Sequence, residues 1–400
     1  MRILQICHKP PIPTIDGGCI AINNISKSLI DELGSIKILT LSTYKHPFKI
    51  ISYGNEYLKK TSIESSYVDT RFKVGDAILS LLKNNSYNIS RFYSIDFKKL
   101  IIKTLENSNY DVIVLESLFT CNYIKTIKEY SSSKIILRSH NIEYKIWDKI
   151  SIKSSNPFKK IYFKILSYQL KKYELKILKK IDGVACISDN YKNEFNRLDF
   201  KLKIETIPFG ININNYRFKD KISDEKKLKF FHIGAMDWLP NSEATKWLID
   251  EIWPEIHKLI PKAELHLAGK NMPDWINSNQ KLNIYNHKEV KDSLKFISEY
   301  DIMLVPVLSG SGIRVKIIEG MALGKAIIST SLGAEGIDYK KDENLMIANS
   351  VEEFCENAKK ISSGNLNQKK IGINARKLVE KNHNQKKISK KLVSFLESVT

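Results

Sequence analysis

The 400-residue sequence predicts an α/β protein built from two doubly wound domains that face each other across a cleft. Short, nearly continuous apolar segments alternate with amphipathic stretches of helical spacing, which is typical of parallel strands covered by helices on both faces. This series occurs twice along the chain, and a polar stretch separates its two copies. Because single cores stop growing near about 250–300 residues, two domains are expected for a chain of this length.

Each apolar segment predicts one strand. The predicted strands are 3–7, 36–41, 111–116, 134–139 and 183–188 in the first half, and 228–234, 263–269, 282–285, 301–307 and 325–330 in the second. Pro, Gly, Asn and charged residues replace this pattern in "IPFGININNYRFKDKISDEKK". We therefore place a hinge around residues 208–225.

The composition is that of a folded globular chain, with 42% hydrophobic and 27% charged residues. The net charge of +20 favours anionic partners such as nucleotides, nucleic acid or an acidic membrane face, although lysines that merely solvate the surface explain it equally well. The five cysteines are scattered and form no Cys-x-x-Cys pair, so we expect reduced cysteines in or near the core. The apolar run in "MRILQIC" is too short for a signal peptide, and we expect a cytoplasmic protein.

In open parallel sheets, ligands bind at the carboxyl ends of the strands, so the turns after the strands are searched first. Gly17 and Gly18 stand after the first strand, just before a helix with apolar residues at helical spacing. Glycines permit close backbone approach, and the free amides of a helix N-terminus attract phosphate. A plain tight turn is the alternative interpretation of this pair.

The turn "RSHNIEY" at 138–144 follows the strand "KIILRS". It places His140, Asn141 and Glu143 where a bound sugar or phosphate could reach them. The spacing fits no metal motif. Alternatively, His140 and Asn141 cap the following helix, with Glu143 in its first turn.

The stretch "DIMLVPVLSGSGIRVKIIEGMALG" carries the strongest signal. It descends from a strand through Ser309, Gly310, Ser311 and Gly312 into a helix whose first turn holds the cations Arg314 and Lys316. The helix dipole disfavours cations there unless an anion is bound. Glu319, one turn further, could accept two hydrogen bonds from the hydroxyls of a ribose. A nucleotide diphosphate satisfies all of these features.

These segments, together with "HIGAMDWLPNSEATKWLIDEIWPEI", resemble a family 4 glycosyltransferase of the GT-B fold over nearly the whole chain. The resemblance implies two Rossmann-like domains: an acceptor-binding domain at 1–208, and a nucleotide-sugar-binding domain at 209–380, with a C-terminal helix at about 380–400 that packs back on the first domain. It also implies retention of configuration and a role in bacterial surface polysaccharide biosynthesis.

The resemblance also assigns residue roles. It places His140 near the donor sugar, makes Arg314 and Lys316 the residues that neutralise the diphosphate, and makes Glu319 the ribose ligand. It adds Gly234 to the donor-binding residues Gly17, Gly18, Gly310, Ser311, Gly312 and Glu319, with Asn141 and Glu143 near the acceptor or sugar.

The chain departs from the family pattern at two places. Ser311 stands where an upstream glutamate is expected eight residues before Glu319, which leaves its donor-sugar contacts open. The Arg and Lys often found after the first strand of the second domain are replaced by "AMDW" at 235–238. Arg314 and Lys316 would then carry more of the phosphate charge.

Cleavage of the anomeric C–O bond would place negative charge on the leaving diphosphate, where Arg314, Lys316 and the glycine amides could stabilise it. No Asp-x-Asp motif occurs in the sequence, which fits a scheme with no metal and no cofactor beyond the nucleotide-sugar donor. The alternatives are a GT-B sugar-nucleotide epimerase and a basic nucleic-acid-binding protein. No recognition helix, aromatic platform or zinc module supports specific nucleic-acid binding.

The segment 158–180 places eight lysines around an apolar stripe at 163, 166, 170, 173 and 177. The stripe predicts a helix that covers the first sheet, with its lysines solvated. The sharper hypothesis is that these lysines hold the enzyme against anionic lipid, peripheral on the inner face of the cell membrane. A lipid-linked or glycan acceptor would make that contact useful.

Overall fold

The computed structural model describes residues 1–73, 75–76, 80, 86–154, 156–198, 200–218, 227–310 and 312–400. Ser311, which the sequence predicts to bind the donor, and the hinge residues 219–225 lie outside the described residues. The described chain forms two compact units. The first comprises Met1–Phe209 and Gln385–Thr400, and the second comprises Gly210–Asn384.

Thirteen named strands occur in the described residues. In the first unit they are β1 Ile3–Cys7, β2 Lys37–Thr43, β3 Glu64–Val68, β4 Val112–Glu116, β5 Lys134–Ser139, β6 Gly183–Cys186 and β7 Lys203–Thr206. In the second unit they are β8 Lys229–Ile233, β9 Glu264–Ala268, β10 Ile284–Asn286, β11 Ile302–Val305, β12 Ala326–Ser329 and β13 Met346–Ile347.

Helices connect most of these strands. In the first unit they are α1 Gly17–Leu33, α2 Asn55–Thr61, α3 Tyr87–Ser90, α4 Ile95–Asn107, α5 Ile124–Tyr130, α6 Glu143–Lys153, α7 Pro157–Leu178, α8 Asp189–Asn196 and the C-terminal Gln385–Val399. In the second unit they are α9 Leu239–Trp247, α10 Trp253–Leu259, α11 Ser293–Glu299, α12 Val315–Ala322, α13 Val351–Ser362 and α14 Gln368–Asn382, and the C-terminal helix is α15. A π-helical segment, Leu248–Ile252, joins α9 to α10, and 3-10 turns lie at Ile50–Ser52, Leu118–Tyr123, Ile213–Asn215 and Gln280–Leu282.

Both sheets are parallel and doubly wound. Among the described residues, the first has the order β3-β2-β1-β4-β5-β6-β7, and the second has the order β10-β9-β8-β11-β12-β13. The strand order therefore reverses between β1 and β4 in one unit and between β8 and β11 in the other. Open sheets bind ligands at the carboxyl ends of the strands beside such a reversal, so each unit has one expected binding edge.

The first sheet is buried on both faces, which explains its continuous apolar strands. One face packs against residues such as Phe97 and Tyr123, and the other packs against Ile22 of α1 and Leu392 of α15. Helix α15 is also joined to α1 by a hydrogen bond from Asn24 Nδ2 to Gln385 Oε1 at 2.6 Å. The C-terminal helix thus belongs to the core of the first unit.

The sequence did not predict β3, β7 and β13. These strands form one edge or the other of their sheets. In β3, "ESSYV", four of the five residues are exposed or half-buried, and β13 has only two residues. An edge strand has one neighbour and little burial, so it lacks the apolar pattern that reveals a central strand.

The basic segment 158–180 forms α7, and its predicted stripe is confirmed. Leu166, Leu170 and Ile177 are buried, whereas the lysines of the segment are exposed. Exposed apolar side chains also occur on this helix, among them Phe158 at 83% and Ile161 at 60% exposure. Among the described residues, no helix combines the length and hydropathy needed to span a membrane.

Candidate functional site

The loop after β11 leads into α12 through two glycines with left-handed backbone conformations. Gly310 has φ +90° and Gly312 has φ +85°, values that L side chains rarely adopt. A Cβ atom on Gly310 would also lie 3.1 Å from Pro240 Cγ. The left-handed conformation therefore favours glycine at position 310, and the tight contact with Pro240 adds to that preference.

Lys316, in the first turn of α12, reaches back to the carboxyl end of β8. Its Nζ donates to Ile233 O at 2.9 Å and to Asn241 Oδ1 at 3.0 Å. Burial, and then the charge of Arg314, lower the pKa of Lys316 to about 7. A bound anion would counteract both the burial and the repulsion by Arg314, and would raise the pKa of Lys316 again. Lys316 is therefore suited to take up a proton when a phosphate binds.

Gly234 provides the space for this arrangement. A Cβ atom on Gly234 would lie 2.8 Å from Cγ of Asn241, whose Nδ2 donates to Ala235 O at 2.9 Å. Any side chain at Gly234 would therefore displace the amide that positions Lys316. Gly234 was predicted as a donor ligand, and its structural effect is exerted through Asn241.

Arg314 is the N-cap residue of α12 and is 5% exposed. Its Nη1 donates to Gly312 O at 2.8 Å and its Nη2 to Ser309 O at 3.4 Å. The guanidinium carbon lies 5.2 Å from the centre of the Trp238 ring. Arg314 thus holds the glycine loop closed against Trp238, a contact that the sequence did not predict.

Glu319 lies one turn after Lys316 on α12 and is partly buried. The Tyr216 hydroxyl donates to Glu319 Oε1 at 3.2 Å. Burial raises the pKa of the Glu319 carboxyl, and the Tyr216 hydrogen bond opposes that rise. Arg376 Nη1 fixes the backbone of Tyr216 by donating to its carbonyl at 2.5 Å.

In the first unit, a buried hydrogen-bond network centres on Glu116 at the carboxyl end of β4. His140 Nε2 donates to Glu116 Oε2 at 2.8 Å, and Gln5 Nε2 donates to Glu116 Oε1 at 2.9 Å. Glu116 is fully buried, and the Nε of buried Arg138 lies 3.9 Å from its Oε2. The network fixes the His140 ring at the edge of the sheet where β1 and β4 end.

His8, directly after β1, joins the same network. Its Nδ1 lies 2.9 Å from Glu116 O, and a carbonyl can only accept, so Nδ1 carries the proton. Burial, the charge of Lys9 and the proximity of His140 lower the pKa of His8 well below its usual value. The ring is therefore neutral, and its Nε2 is a hydrogen-bond acceptor. Ser117, which follows Glu116, has φ +82°, a strained conformation for a residue with a side chain.

The capping interpretation of His140 and Asn141 is wrong. Helix α6 begins at Glu143, its N-cap is Ile142, and that cap makes no side-chain hydrogen bond. Asn141 Nδ2 instead donates to Glu143 Oε1 at 3.4 Å. Burial raises the pKa of Glu143 to about 7, although the Asn141 hydrogen bond and the charge of Arg91 oppose the rise.

Gly17 and Gly18 open helix α1 and form its first residues. The N-cap is Asp16, whose Oδ1 accepts from Cys19 N at 2.8 Å. A Cβ atom on Gly18 would lie 2.4 Å from Lys9 Nζ, so glycine makes room for the ion pair between Lys9 and Asp16. Part of the helix N-terminus is therefore already satisfied by a side chain of the protein.

Asp16, Cys19 and His46 form the group of potential metal ligands found in the described residues. Lys9 Nζ already donates to both carboxylate oxygens of Asp16, at 2.8 Å each, and His46 Nε2 lies 2.8 Å from Oδ2. Burial, and then the charge of Asp16, raise the pKa of Cys19 to about 11, so it remains a thiol at neutral pH. Ammonium, thiol and imidazole suit an internal ion-pair network better than a cation site.

The predicted residues fall into two groups. Gly234, Gly310, Gly312, Arg314, Lys316 and Glu319 belong to the second unit, and Gly17, Gly18, His140, Asn141 and Glu143 belong to the first. Sequence reasoning missed Tyr216, Asn241, His8 and Glu116. A signal existed for Glu116, because an acid closing the apolar strand "DVIVLE" at the binding edge is costly to bury without a partner.

Residues 227–363 match the family described as glycosyl transferases group 1. A protein from Klebsiella pneumoniae named "Uncharacterized 44.6 kDa protein in cps region" is 25% identical over 385 residues, which cover 93% of this chain and 94% of that protein.

Solved structures share the fold. Sucrose-phosphate synthase from Thermosynechococcus elongatus superposes with a TM-score of 0.70 at 14% identity, covering 100% of this chain and 99% of that one. HepE from Anabaena in complex with UDP-glucose superposes with a TM-score of 0.63 at 12% identity, covering 100% of both chains. The outer core galactosyltransferase WaaB gives a TM-score of 0.64 at 12% identity, again over 100% of both chains. Residues 227–363 are thus similar to a group 1 glycosyltransferase domain, and the protein is a glycosyltransferase with the GT-B fold.

Proposed function

We propose that this protein transfers a sugar from a nucleotide diphosphate sugar to a glycan or lipid-linked acceptor, with retention of configuration and without a bound metal. The second unit would bind the donor, and the first unit would bind the acceptor. The observation that carries the proposal is Lys316 at the binding edge of the second sheet. Two of its three ammonium donors are used by Ile233 O and Asn241 Oδ1, which leaves one for a phosphate oxygen.

The chemistry follows from where charge develops. Cleavage of the anomeric C–O bond leaves negative charge on the diphosphate. The proposed stabilising groups are the Lys316 ammonium, the backbone amides around Gly310 and Gly312, and the N-terminus of α12. Arg314, which is hydrogen-bonded to the glycine loop, would add its positive charge beside the diphosphate. Glu319 would accept hydrogen bonds from the ribose hydroxyls.

The first experiment tests donor binding. Nucleoside diphosphates are titrated by calorimetry into the wild type, Lys316→Ala and Lys325→Ala. Lys325 is a matched control, because its ammonium also donates to two carbonyls, Ser298 O at 2.9 Å and Tyr300 O at 2.6 Å, but it precedes β12 at the opposite edge of the sheet. We expect loss of affinity only in Lys316→Ala. Equal affinity in all three proteins would contradict the assigned site.

The second experiment tests the reaction. Nucleotide sugars are incubated with the enzyme and a lipid-linked or oligosaccharide acceptor, and the products are analysed by NMR. A new glycoside with the anomeric configuration of the donor supports the proposal. An inverted product would overturn the retaining mechanism, and an altered sugar nucleotide formed without an acceptor would indicate an epimerase.

A role in bacterial surface polysaccharide biosynthesis is part of the proposal. The relative from Klebsiella pneumoniae whose name places it in a cps region supports this setting. The neighbour HepE, solved with UDP-glucose, supports a nucleotide-sugar donor.

We further propose that α7 holds the enzyme against anionic lipid on the inner face of the membrane. The exposed lysines of the helix lie beside exposed apolar side chains such as Phe158 and Ile161, and this combination favours an anionic lipid surface. Each lysine near the surface contributes about 1 kcal/mol.

Sedimentation with anionic liposomes at low and physiological salt tests the contact. The variant changes Lys171, Lys172, Lys176 and Lys179 to Gln, and the control changes Lys359, Lys370, Lys377 and Lys381 of the second unit to Gln. Both lose the same charge. Equal binding by the two variants would show that α7 is not the anchor.

A further inference from the structure

A cavity of about 250 Å³ lies within the first unit, at the carboxyl ends of β1, β2 and β4. His8 follows β1, Tyr44 follows β2, and Phe119 follows β4, so the cavity occupies the binding edge of this sheet. It is smaller than the roughly 300–1,000 Å³ typical of sites for drug-sized ligands. Its size suits one sugar residue with its substituents.

The lining of this cavity is strongly basic. Lys9, Lys45, Arg71 and Arg91 line it, and no acid is found among its described lining residues. Two of these cations are already neutralised, because Lys9 pairs with Asp16 at 2.8 Å and Arg71 pairs with Asp69 at 2.9 Å. Lys45 and Arg91 have no acidic partner within ion-pair distance in the part of the chain that the structure describes.

Arg91 is the more informative of the two cations, because it is partly buried. Its Nε is shielded from solvent and has no hydrogen-bond partner among the described residues. Its guanidinium carbon lies 5.4 Å from the centre of the Phe92 ring. Burial lowers the pKa of Arg91 even though the charge of Glu143 opposes this effect. A buried guanidinium without an ion-pair partner is costly, and an anionic ligand would offset that cost.

The rest of the cavity suits a sugar ring. Phe92 and Phe119 stack with centroids 4.7 Å apart and an interplanar angle of 17°, which forms an apolar wall. The His8 ring stands at 72° to Phe92, with centroids 6.2 Å apart. Because neutral His8 donates from Nδ1 to Glu116 O, its Nε2 can accept a hydrogen bond from a sugar hydroxyl.

We propose that this cavity binds the acceptor sugar, and that this sugar carries an acidic group recognised by Arg91 and Lys45. The inference rests on the proposed function, and it narrows the acceptor class to anionic carbohydrates. The acidic group is either a carboxylate, as in a uronic acid residue of a glycan, or a phosphate, as at the reducing end of a lipid-linked sugar.

Binding without donor tests the proposal. Methyl α-glucuronide, its methyl ester, methyl α-glucoside and glucose 1-phosphate are titrated by NMR into the full-length protein. A charge-assisted hydrogen bond predicts at least about 10-fold tighter binding of the acid than of its ester. Tighter binding of the glucuronide than of glucose 1-phosphate identifies a carboxylate, and the reverse identifies a phosphate.

Variants test which residues cause the preference for the acid over its ester. In Arg91→Ala we expect the acid and the ester to bind alike, and in Lys45→Gln we expect a partial loss. Arg197→Ala is the matched control, because this exposed arginine of the same unit lies beside Glu194 outside the cavity. If circular dichroism shows that Arg91→Ala does not fold, the same comparison of acid and ester is made with Arg91→Lys and with the surface variant Lys45→Gln.

The proposal would be overturned if the wild type bound neither the glucuronide more tightly than its ester nor glucose 1-phosphate more tightly than methyl α-glucoside. It would also be overturned if the preference for the acidic ligand survived both the Arg91 and the Lys45 changes. Failure of the proposed function gives a different result. In that case no nucleotide sugar yields a glycoside, while discrimination between acid and ester persists. Transfer to neutral acceptors with no preference for acidic ones would refute this inference and leave the function intact.

Discussion

The Tyr216 hydroxyl donates to Glu319 Oε1 at 3.2 Å, across 103 residues of sequence. Tyr216 follows the 3-10 turn Ile213–Asn215, near the beginning of the second unit, and Glu319 lies in the middle of α12. The hydrogen bond orients the carboxyl group and stabilises its ionised form, which is the form that the proposed contact with two ribose hydroxyls requires.

Glu319→Gln should weaken binding of a nucleoside diphosphate by about 1–3 kcal/mol, because charge-assisted hydrogen bonds to the ribose would be lost. Tyr216→Phe should have a smaller effect in the same direction, of about 0.5–1.5 kcal/mol, since it removes one supporting hydrogen bond. Calorimetry measures both. Unchanged affinity in Glu319→Gln would remove Glu319 from the site.

Binding of a nucleoside diphosphate at pH 8 should be accompanied by uptake of a proton. Lys316 has a pKa of about 7 in the unliganded protein, so it is mostly neutral at pH 8, and a bound diphosphate should restore its charge. Calorimetry in buffers with different ionisation enthalpies measures the uptake. It should be absent in Lys316→Met and present in the control Lys325→Met. Binding without proton uptake in the wild type would contradict this role.

Arg314→Ala should lower turnover by a factor of about 10²–10³, the scale for loss of one charge-stabilising donor. The substitution also releases the carbonyls of Gly312 and Ser309, so the loop should become less ordered. Single-turnover kinetics at saturating donor separates the chemical step from weakened binding. Near wild-type turnover would mean that Arg314 has no part in stabilising the leaving group.

Glu143 should make the first unit less stable as the pH rises. Its pKa is about 7 in the folded protein against 4.5 for an ordinary glutamate, so the folded chain binds more protons between these pH values. The free energy of unfolding should therefore fall by about 3 kcal/mol from this group as the pH rises through that window.

Denaturant titrations at pH 4.5 and 7.5 check this dependence. Glu143→Gln should abolish most of the fall in the free energy of unfolding between these two pH values. The control Glu129→Gln, at a carboxylate that is 47% exposed, should leave that fall unchanged. The same pH dependence in Glu143→Gln and the wild type would contradict the assignment.

Activity should survive treatment with a chelator, because the proposed scheme stabilises the leaving diphosphate with Lys316, backbone amides and a helix N-terminus. EDTA is added to the transfer assay and to a parallel assay of a metal-dependent enzyme as control. Loss of activity that magnesium or manganese restores would refute the metal-free scheme.

The central strands were predictable because their physical signal is local. Segments such as 3–7 and 134–139 were predicted at their observed bounds, since a strand buried on both faces must be apolar along its length. The sequence also predicted that Gly310 and Gly312 belong to the donor-binding loop, but their left-handed backbone conformations became evident only in the structure. The edge strands β3 and β7 were not predictable, since each pairs with only one neighbouring strand and is partly exposed to solvent, so it lacks a continuous apolar pattern.

The sequence by itself determined the α/β class, the two parallel series and the loop that carries Gly310, Gly312, Arg314, Lys316 and Glu319. Tertiary structure alone decided the partners of these residues, because hydrogen bonds join atoms that are distant along the chain. Asn241 reaches Lys316 across 75 residues, and Tyr216 reaches Glu319 across 103. The cavity in the first unit arises in the same way. Strand order brings His8, Lys45 and Phe119 together, because each follows the carboxyl end of a parallel strand and these ends meet at one edge whatever their separation in sequence. Arg91, which follows α3, completes the lining.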